Sequence, residues 1–304
     1  MNFKDLINEC NARYGLTKPV SVNSPIDLNT VSMESLMNAE LRELIKVHSW
    51  HQLKREAYIE RNDPITFVST GSIGSNIITI GSINTNLKAN IFVVSGVGIN
   101  PNTRIRNIQI SGSNTILTLD QRTNSSFVSP VTLTYAQDTY PVPDDYDRAV
   151  DRTFWNTQSA WPMGDPRTSQ EWGYVENYAL KAYNIPLYKF QGIFPYIIKI
   201  SNMNYSNPIA FEYISKYSVV DPDGNLKYSL ESDEDISVFD DELLIKGTLW
   251  RFKQQIEQDF QNDYAQYQRE LFRCIAQEQP RKTLTVAKNY TYNAHMRYFP
   301  VINS

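Results

Sequence analysis

Cysteine is nearly absent. Only Cys10 and Cys274 occur in 304 residues, with no CxxC and no Cys/His pairing at zinc spacing, so neither a disulfide framework nor a structural metal accounts for the fold. Both thiols read as small buried hydrophobes. Histidine is equally scarce: His48, His51 and His295. The first two are one residue short of the i, i+4 pair of an HExxH helix and have no third ligand at a diagnostic offset. They read as a helix-end surface or interface pair. Excess positive charge is missing too. Lys and Arg number 29 against 33 Asp and Glu, a net charge of −4, which argues against a protein that wraps nucleic acid by neutralising phosphates. No apolar run approaches the roughly 20 residues of a membrane span. The opening MNFKDLINEC has no signal-peptide hydrophobic region, so a chain made and kept in the cytoplasm is expected. There is no GxxxxGK[ST] phosphate loop and no GxSxG nucleophile elbow. Gly96-Val-Gly98 lies among β-type residues with no helix after it and reads as a turn.

What is present divides by composition. With 41% hydrophobic residues, including 19 Tyr and 13 Phe, the chain can bury a core, and its length fits two packed units or one with a large insertion. Residues 1–61 read as helical: Phe3, Leu6, Ile7 and Cys10 repeat at i, i+3, i+4, i+7 before Gly15, and Met37, Leu41, Leu44, Ile45 and His48 form a second stripe. REAYIE could then begin a strand. Residues 64–135 are a different material, with short β-branched runs such as NIITI, RIRNIQI and VTLTY between Gly, Asn and Ser. That spacing predicts an all-β, sandwich-like domain inserted into the chain. It carries four bases (Lys88, Arg104, Arg106, Arg122) against one acid, Asp120.

Residues 136–239 are mixed. Thr168 and Glu171 have capping-box spacing and predict a helix over 169–182. LYKF, YIIKI and AFEYISKYSVV read as the strands of a small sheet. Asp240, Asp241 and Glu242 open a helical run to 279, read as two helices that meet near Gln258–Gln261. Pro280 ends the run. The fold class expected is therefore α+β: a helical bundle with a small antiparallel sheet from 1–61 and 136–280, plus the inserted sandwich-like domain. The remaining residues, 281–304, hold four bases and no acid and are too poor in apolar residues to fold alone.

One candidate for chemistry stands out. Glu231, Asp233, Glu234, Asp235, Asp240, Asp241 and Glu242 place seven acids in twelve residues. Clustered carboxylates can hold Mg²⁺ or Ca²⁺, and Asp221, Asp223 and Asn225 begin an EF-hand-like pattern. Gly224 falls at loop position 4 instead of 6, and Ser232 stands where the bidentate Glu belongs, so the calcium reading fails. A solvated loop leading into a helix N-terminus is expected, and no catalytic, metal or cofactor-binding residue is assigned. A metal-dependent nuclease using Asp240 and Asp241 is the enzymatic alternative. Trp155, Trp161, Trp172 and Trp250 read as core or subunit packing before a stacking surface.

The order of these segments resembles a known family. SWHQLKREAYI is followed by YPVPDDYDRAVDRTFWNTQSAWPMGDPRTSQEWGYVEN, then by AFEYISKYSVVDPDGN, DISVFDDELLIKGTLWRFKQQ and QDFQNDYAQYQRELFRCIAQ. Over 1–61 and 136–280 this is similar to the head-to-tail adaptor (head-completion, tail-tubular-protein-A-like) proteins of short-tailed bacteriophages. The β segment VSGVGINPNTRIRNIQISGSNTILTLDQRTNSSFVSPVTLTY resembles a repeat of phage virion proteins. The resemblance implies a non-enzymatic virion protein without cofactors. It implies a homo-oligomeric ring of twelve copies between the portal protein and the tail nozzle protein. The ring would extend the channel through which double-stranded DNA passes without sequence-specific binding, and would touch no membrane. Fibre or capsid contacts would fall to the β domain. The family's C-terminal region reaches the portal, which implies portal contacts through 281–304. Arg281, Lys282, Tyr290, Tyr292, His295, Arg297, Tyr298 and Phe299 are the side chains suited to it. A receptor- or carbohydrate-binding virion module carried by the β insertion is the alternative.

Overall fold

The computed structural model describes residues 1–22, 28–158, 161–164, 168–177, 187–192, 197–201 and 207–278. The chain opens with helices α1 (Phe3–Tyr14) and α2 (Leu28–Val47). A 3₁₀ turn, His51–Leu53, leads into β1 (Lys54–Ile59). Six strands follow: β2 (Ile65–Gly71), β3 (Ile77–Ile80), β4 (Phe92–Ser95), β5 (Thr103–Ser111), β6 (Asn114–Leu119) and β7 (Val131–Gln137). Then come β8 (Thr139–Pro141), β9 (Tyr146–Ala149), β10 (Trp155–Asn156), β11 (Trp161–Pro162), α3 (Ser169–Asn177), β12 (Tyr188–Gln191), β13 (Ile197–Ile200) and β14 (Ile209–Ser215). The chain closes with β15 (Val219–Val220), β16 (Leu226–Lys227), β17 (Ile236–Ser237), α4 (Asp241–Gln255) and α5 (Gln261–Glu278).

Local signals explain the helices. In α1 the Asn2 side chain accepts from the Asp5 amide at 2.8 Å, and Gly15 (φ +82°) closes the far end with amides bonded back to Ala12 and Asn11. Thr168 and Glu171 cap α3 reciprocally, as their spacing predicts. The apolar stripes of α1, α2, α4 and α5 meet in one core in which Leu6, Met37, Leu41, Leu244 and Trp50 are buried.

The expected helical bundle with one small sheet is not what this chain builds. Among the described residues strand (31%) matches helix (30%), and the strands form several sheets. One runs β1-β14-β10-β11, with β9 also on β14; others are β12-β13-β8 and β16-β15-β17. The reason lies in the aromatic alternation of the middle segment. Phe154 stacks on Phe211 at 4.5 Å and on Tyr188 at 3.7 Å, so the first two sheets share a core of their own instead of lying on the helices as an appendage. The two-residue strands leave almost no periodic trace in sequence. The β module differs from expectation too. Its order β2-β3-β6-β5-β4-β7 closes on itself because β7 pairs with both β2 and β4, giving a barrel and not a sandwich. Sandwich and barrel share the same alternation of buried and exposed residues, so pattern alone cannot separate them.

A buried ion pair locks α2 against α4. Glu40 is 0% exposed and accepts from Arg251 Nε at 2.7 Å, while Arg251 also reaches Glu43 at 2.8 Å. The Tyr267 hydroxyl of α5 adjoins the same carboxylate, and burial followed by the Glu40 charge pushes its ionisation upward. Room for Glu40 comes from Gly247: a Cβ there would lie 2.6 Å from the Glu40 Cδ. In an open helix Gly→Ala stabilises by about 1 kcal/mol. Here Gly247→Ala reverses that sign and destabilises by about 3 kcal/mol, because the carboxylate must leave its partner or the helices must part. Urea unfolding of the two chains checks this, and a stabilised variant would refute the packing.

Candidate functional site

The acidic segment folds into the structure. The Asp235 side chain is 0% exposed and pairs with Lys227 Nζ, and its Oδ2 accepts from the Glu231 and Ser232 amides, both at 2.8 Å. Burial opposes that charge, but Lys227 and the two amides hold its carboxyl below the ordinary range. Asp233 accepts from the Val22 amide, and Asp241 from the Met1 amino group. Glu242 takes a two-pronged bond from Arg13 at 2.9 and 2.8 Å. Asp240 caps α4, accepting from the Glu242 and Leu243 amides. The expected helix N-terminus is therefore present, and Glu231, Glu234 and Asp240 are exposed as in the expected solvated loop, while Asp235 is buried and Asp233, Asp241 and Glu242 tie the loop and α4 to the N-terminal segment.

Asp240 also belongs to a trio with Glu270 and Cys274, whose ligand atoms lie within 4.8 Å of one another. Arg273 already fills that trio. Its guanidinium contacts Glu270 and lies 3.2 Å from Asp240 and 3.8 Å from the Cys274 sulfur. Lys246 holds Glu270 from the other side at 2.8 Å. Burial pushes the Cys274 thiol up, which disfavours the thiolate a metal needs. A cation would have to displace the arginine, so the trio is an ion-pair knot tying α5 to the start of α4.

Beside this knot a cleft of about 340 Å³ is lined by Trp50, His51, Phe239, Asp240, Cys274 and Glu278, among others. Its rim clamps the end of α5. The Glu278 carboxylate accepts from the His51 amide at 2.7 Å, and His51 Nε2 donates to the Glu278 carbonyl at 3.1 Å. His48 turns instead to the edge of Trp50, with ring centroids 5.2 Å apart. The two histidines thus serve different partners and form no joint site. Residues 279–304 therefore continue from a point fixed beside residue 51. Arg281, Lys282, Tyr290, Tyr292, His295, Arg297, Tyr298 and Phe299 lie outside the described residues.

The chain matches no protein-family model and no curated protein sequence. Among the described residues, no helix is long and apolar enough to cross a membrane.

Sequence reasoning missed three features. Arg273 reads as one more charge on a helix until α4 is placed against it. Trp155 is 44% exposed on a sheet face, so it is not core, and of the two expected roles only subunit packing is left to it. Gly247 inside LIKGTLW is the signal that could have exposed the Glu40 pocket, since an isolated glycine in a helical run marks a close approach.

One titration follows from the acidic segment's packing. Burial, reinforced by the Asp233 charge, pushes the Glu34 carboxyl up to about 7 from its ordinary 4.5, and its Oε1 is buried without a hydrogen-bond partner among the described residues. The folded chain holds this proton more tightly than the unfolded one. The associated stability is therefore complete below pH 4.5 and is lost as pH rises through 7. Glu34→Gln is expected to stabilise the protein at pH 8 by about 1 kcal/mol after solvent screening, and to leave it unchanged at pH 4. Urea midpoints at the two pH values test this. An equal gain at both would mean that ionisation is not the cause.

Proposed function

We propose that this chain is a non-enzymatic virion protein that assembles as a ring between a portal and a tail nozzle, extending the channel for DNA and docking tail components. The observation that carries the reading is the Glu278–His51 clamp. It gives an acid-free segment with four bases, three tyrosines and a phenylalanine a fixed exit from the folded body. A basic segment with aromatic anchors, leaving the body at a fixed root, is suited to contact with a partner. The engagement of the acidic carboxylates by cations and amides of the same chain supports an assembly role over a metal-dependent nuclease. The order of the sequence segments, which resembles head-to-tail adaptors, supplies the identity of the partners.

Size-exclusion chromatography with light scattering tests the reading, using the full chain alone and mixed with the portal ring of its phage. Co-elution at twelve copies per portal ring is expected. Replacing Tyr290, Tyr292, Tyr298 and Phe299 together by alanine should weaken that association at least tenfold while leaving the thermal midpoint unchanged. A full-length chain that stays monomeric beside the portal would sink the proposal.

A further inference from the structure

Helix α5 carries two features that face apart. On its outer side Phe272 is 68% exposed. Arg269 and Ala276 stand one turn before and one turn after it, and both are exposed. The neighbouring Arg273 turns to Asp240 and Glu270, whereas Arg269 forms no ion pair among the described residues. The outer side of α5 thus offers an uncovered ring beside an uncommitted guanidinium. Aromatic and arginine side chains of this kind are the usual anchors of protein contacts.

The cleft beside the Arg273 knot lies on the other side. Its α5 wall is Cys274, Gln277 and Glu278, which at about 100° per residue stand roughly 140–240° round the helix from Phe272. The floor is apolar: Trp50, Phe239, Leu243 and Cys274 are buried. The Trp50 and Phe239 rings meet edge to face with centroids 5.4 Å apart, and Trp50 Nε1 already donates to the Leu44 carbonyl at 2.6 Å. What the floor presents is carbon surface, suited to an apolar side chain. The rim is acidic. Asp240 is shared with Arg273, but the Glu278 carboxylate accepts from the His51 amide and forms no ion pair among the described residues. At about 340 Å³ the cleft has room for one aromatic side chain.

We propose that Phe272 of one copy inserts into the cleft of a second copy, with Arg269 set against the acidic rim, and that copies join head to tail through this contact. Each side holds what the other lacks: a ring and a free guanidinium on one, an apolar floor and a free carboxylate on the other. A knob and a socket on opposite sides of one helix cannot be exchanged mutually between two copies. The contact is therefore heterologous. Each copy gives its ring to one neighbour and receives that of another, and the series closes where the rotation permits. This is the subunit contact of the ring proposed above, and it rests on that reading.

Photo-crosslinking tests the contact, using the full chain with Phe272→p-benzoylphenylalanine, irradiated alone at rising concentration and again beside the portal ring of its phage. The expected product is a ladder of dimers, trimers and longer species, with peptide mapping placing the adducts on Trp50, Phe239, Leu243 or Gln277 of another copy. Adding Gln277→Trp, which fills the cleft from its exposed rim, should cut the ladder about tenfold and leave the thermal midpoint unchanged. Dimers without higher species, or a ladder indifferent to Gln277→Trp, would overturn the proposal. So would adducts on residues 279–304 or on the portal, which would give the ring a different partner. A ring that assembles on the portal without cleft adducts overturns the contact and leaves the adaptor reading in place. A ladder from a chain that never joins the portal does the opposite.

Discussion

The buried pair of Glu40 and Arg251 sets the frame on which the rest of the helical layer hangs. Placing a carboxylate at 0% exposure between helices carries a desolvation penalty that its partner only offsets, so the pair is weak evidence for stability in itself. Its effect is positional. A buried charge tolerates one arrangement of its partner, and Gly247 leaves room for it at one point of α4 alone. With α4 fixed along α2, Asp240 stands where its carboxylate can cap the helix and meet Arg273. Arg273 then fixes α5, and the end of α5 meets His51 at the entrance to β1. One buried ion pair deep in the helices thereby fixes where the C-terminal segment leaves the body.

The carboxylates of 231–242 extend this logic. An acidic run in isolation repels itself and stays solvated. In this chain much of the repulsion is answered within the fold: Lys227 for Asp235, Arg13 for Glu242, Arg273 for Asp240, the amino group of Met1 for Asp241 and the Val22 amide for Asp233. These partners include Arg13 of α1 and Arg273 of α5, distant in sequence but adjacent in space, and Lys227 of β16, eight residues from Asp235. The acid-rich stretch is thus a hub of cross-links between the chain's N-terminal segment, α4 and α5. Glu34 is the exception, since the nearby charge that acts on its carboxyl is that of Asp233, which raises it.

Legibility in the sequence followed the length of the periodic signal. The α1 stripe, its Gly15 stop, the capping box at Thr168 and the break between α4 and α5 were all readable, because each rests on interactions within a few residues. The sheets were not. Two-residue strands such as β10 and β15 exist only because β14 and its neighbours supply partners from elsewhere in the chain. The stacking of Phe154 between Phe211 and Tyr188 joins positions more than thirty residues apart. Barrel closure depends on β7 reaching both β2 and β4, a fact of pairing and not of pattern. The site was legible in the same measure. The acid-free composition of 281–304 could be read directly, whereas its root at His51 and the cleft behind Phe272 needed the folded helices.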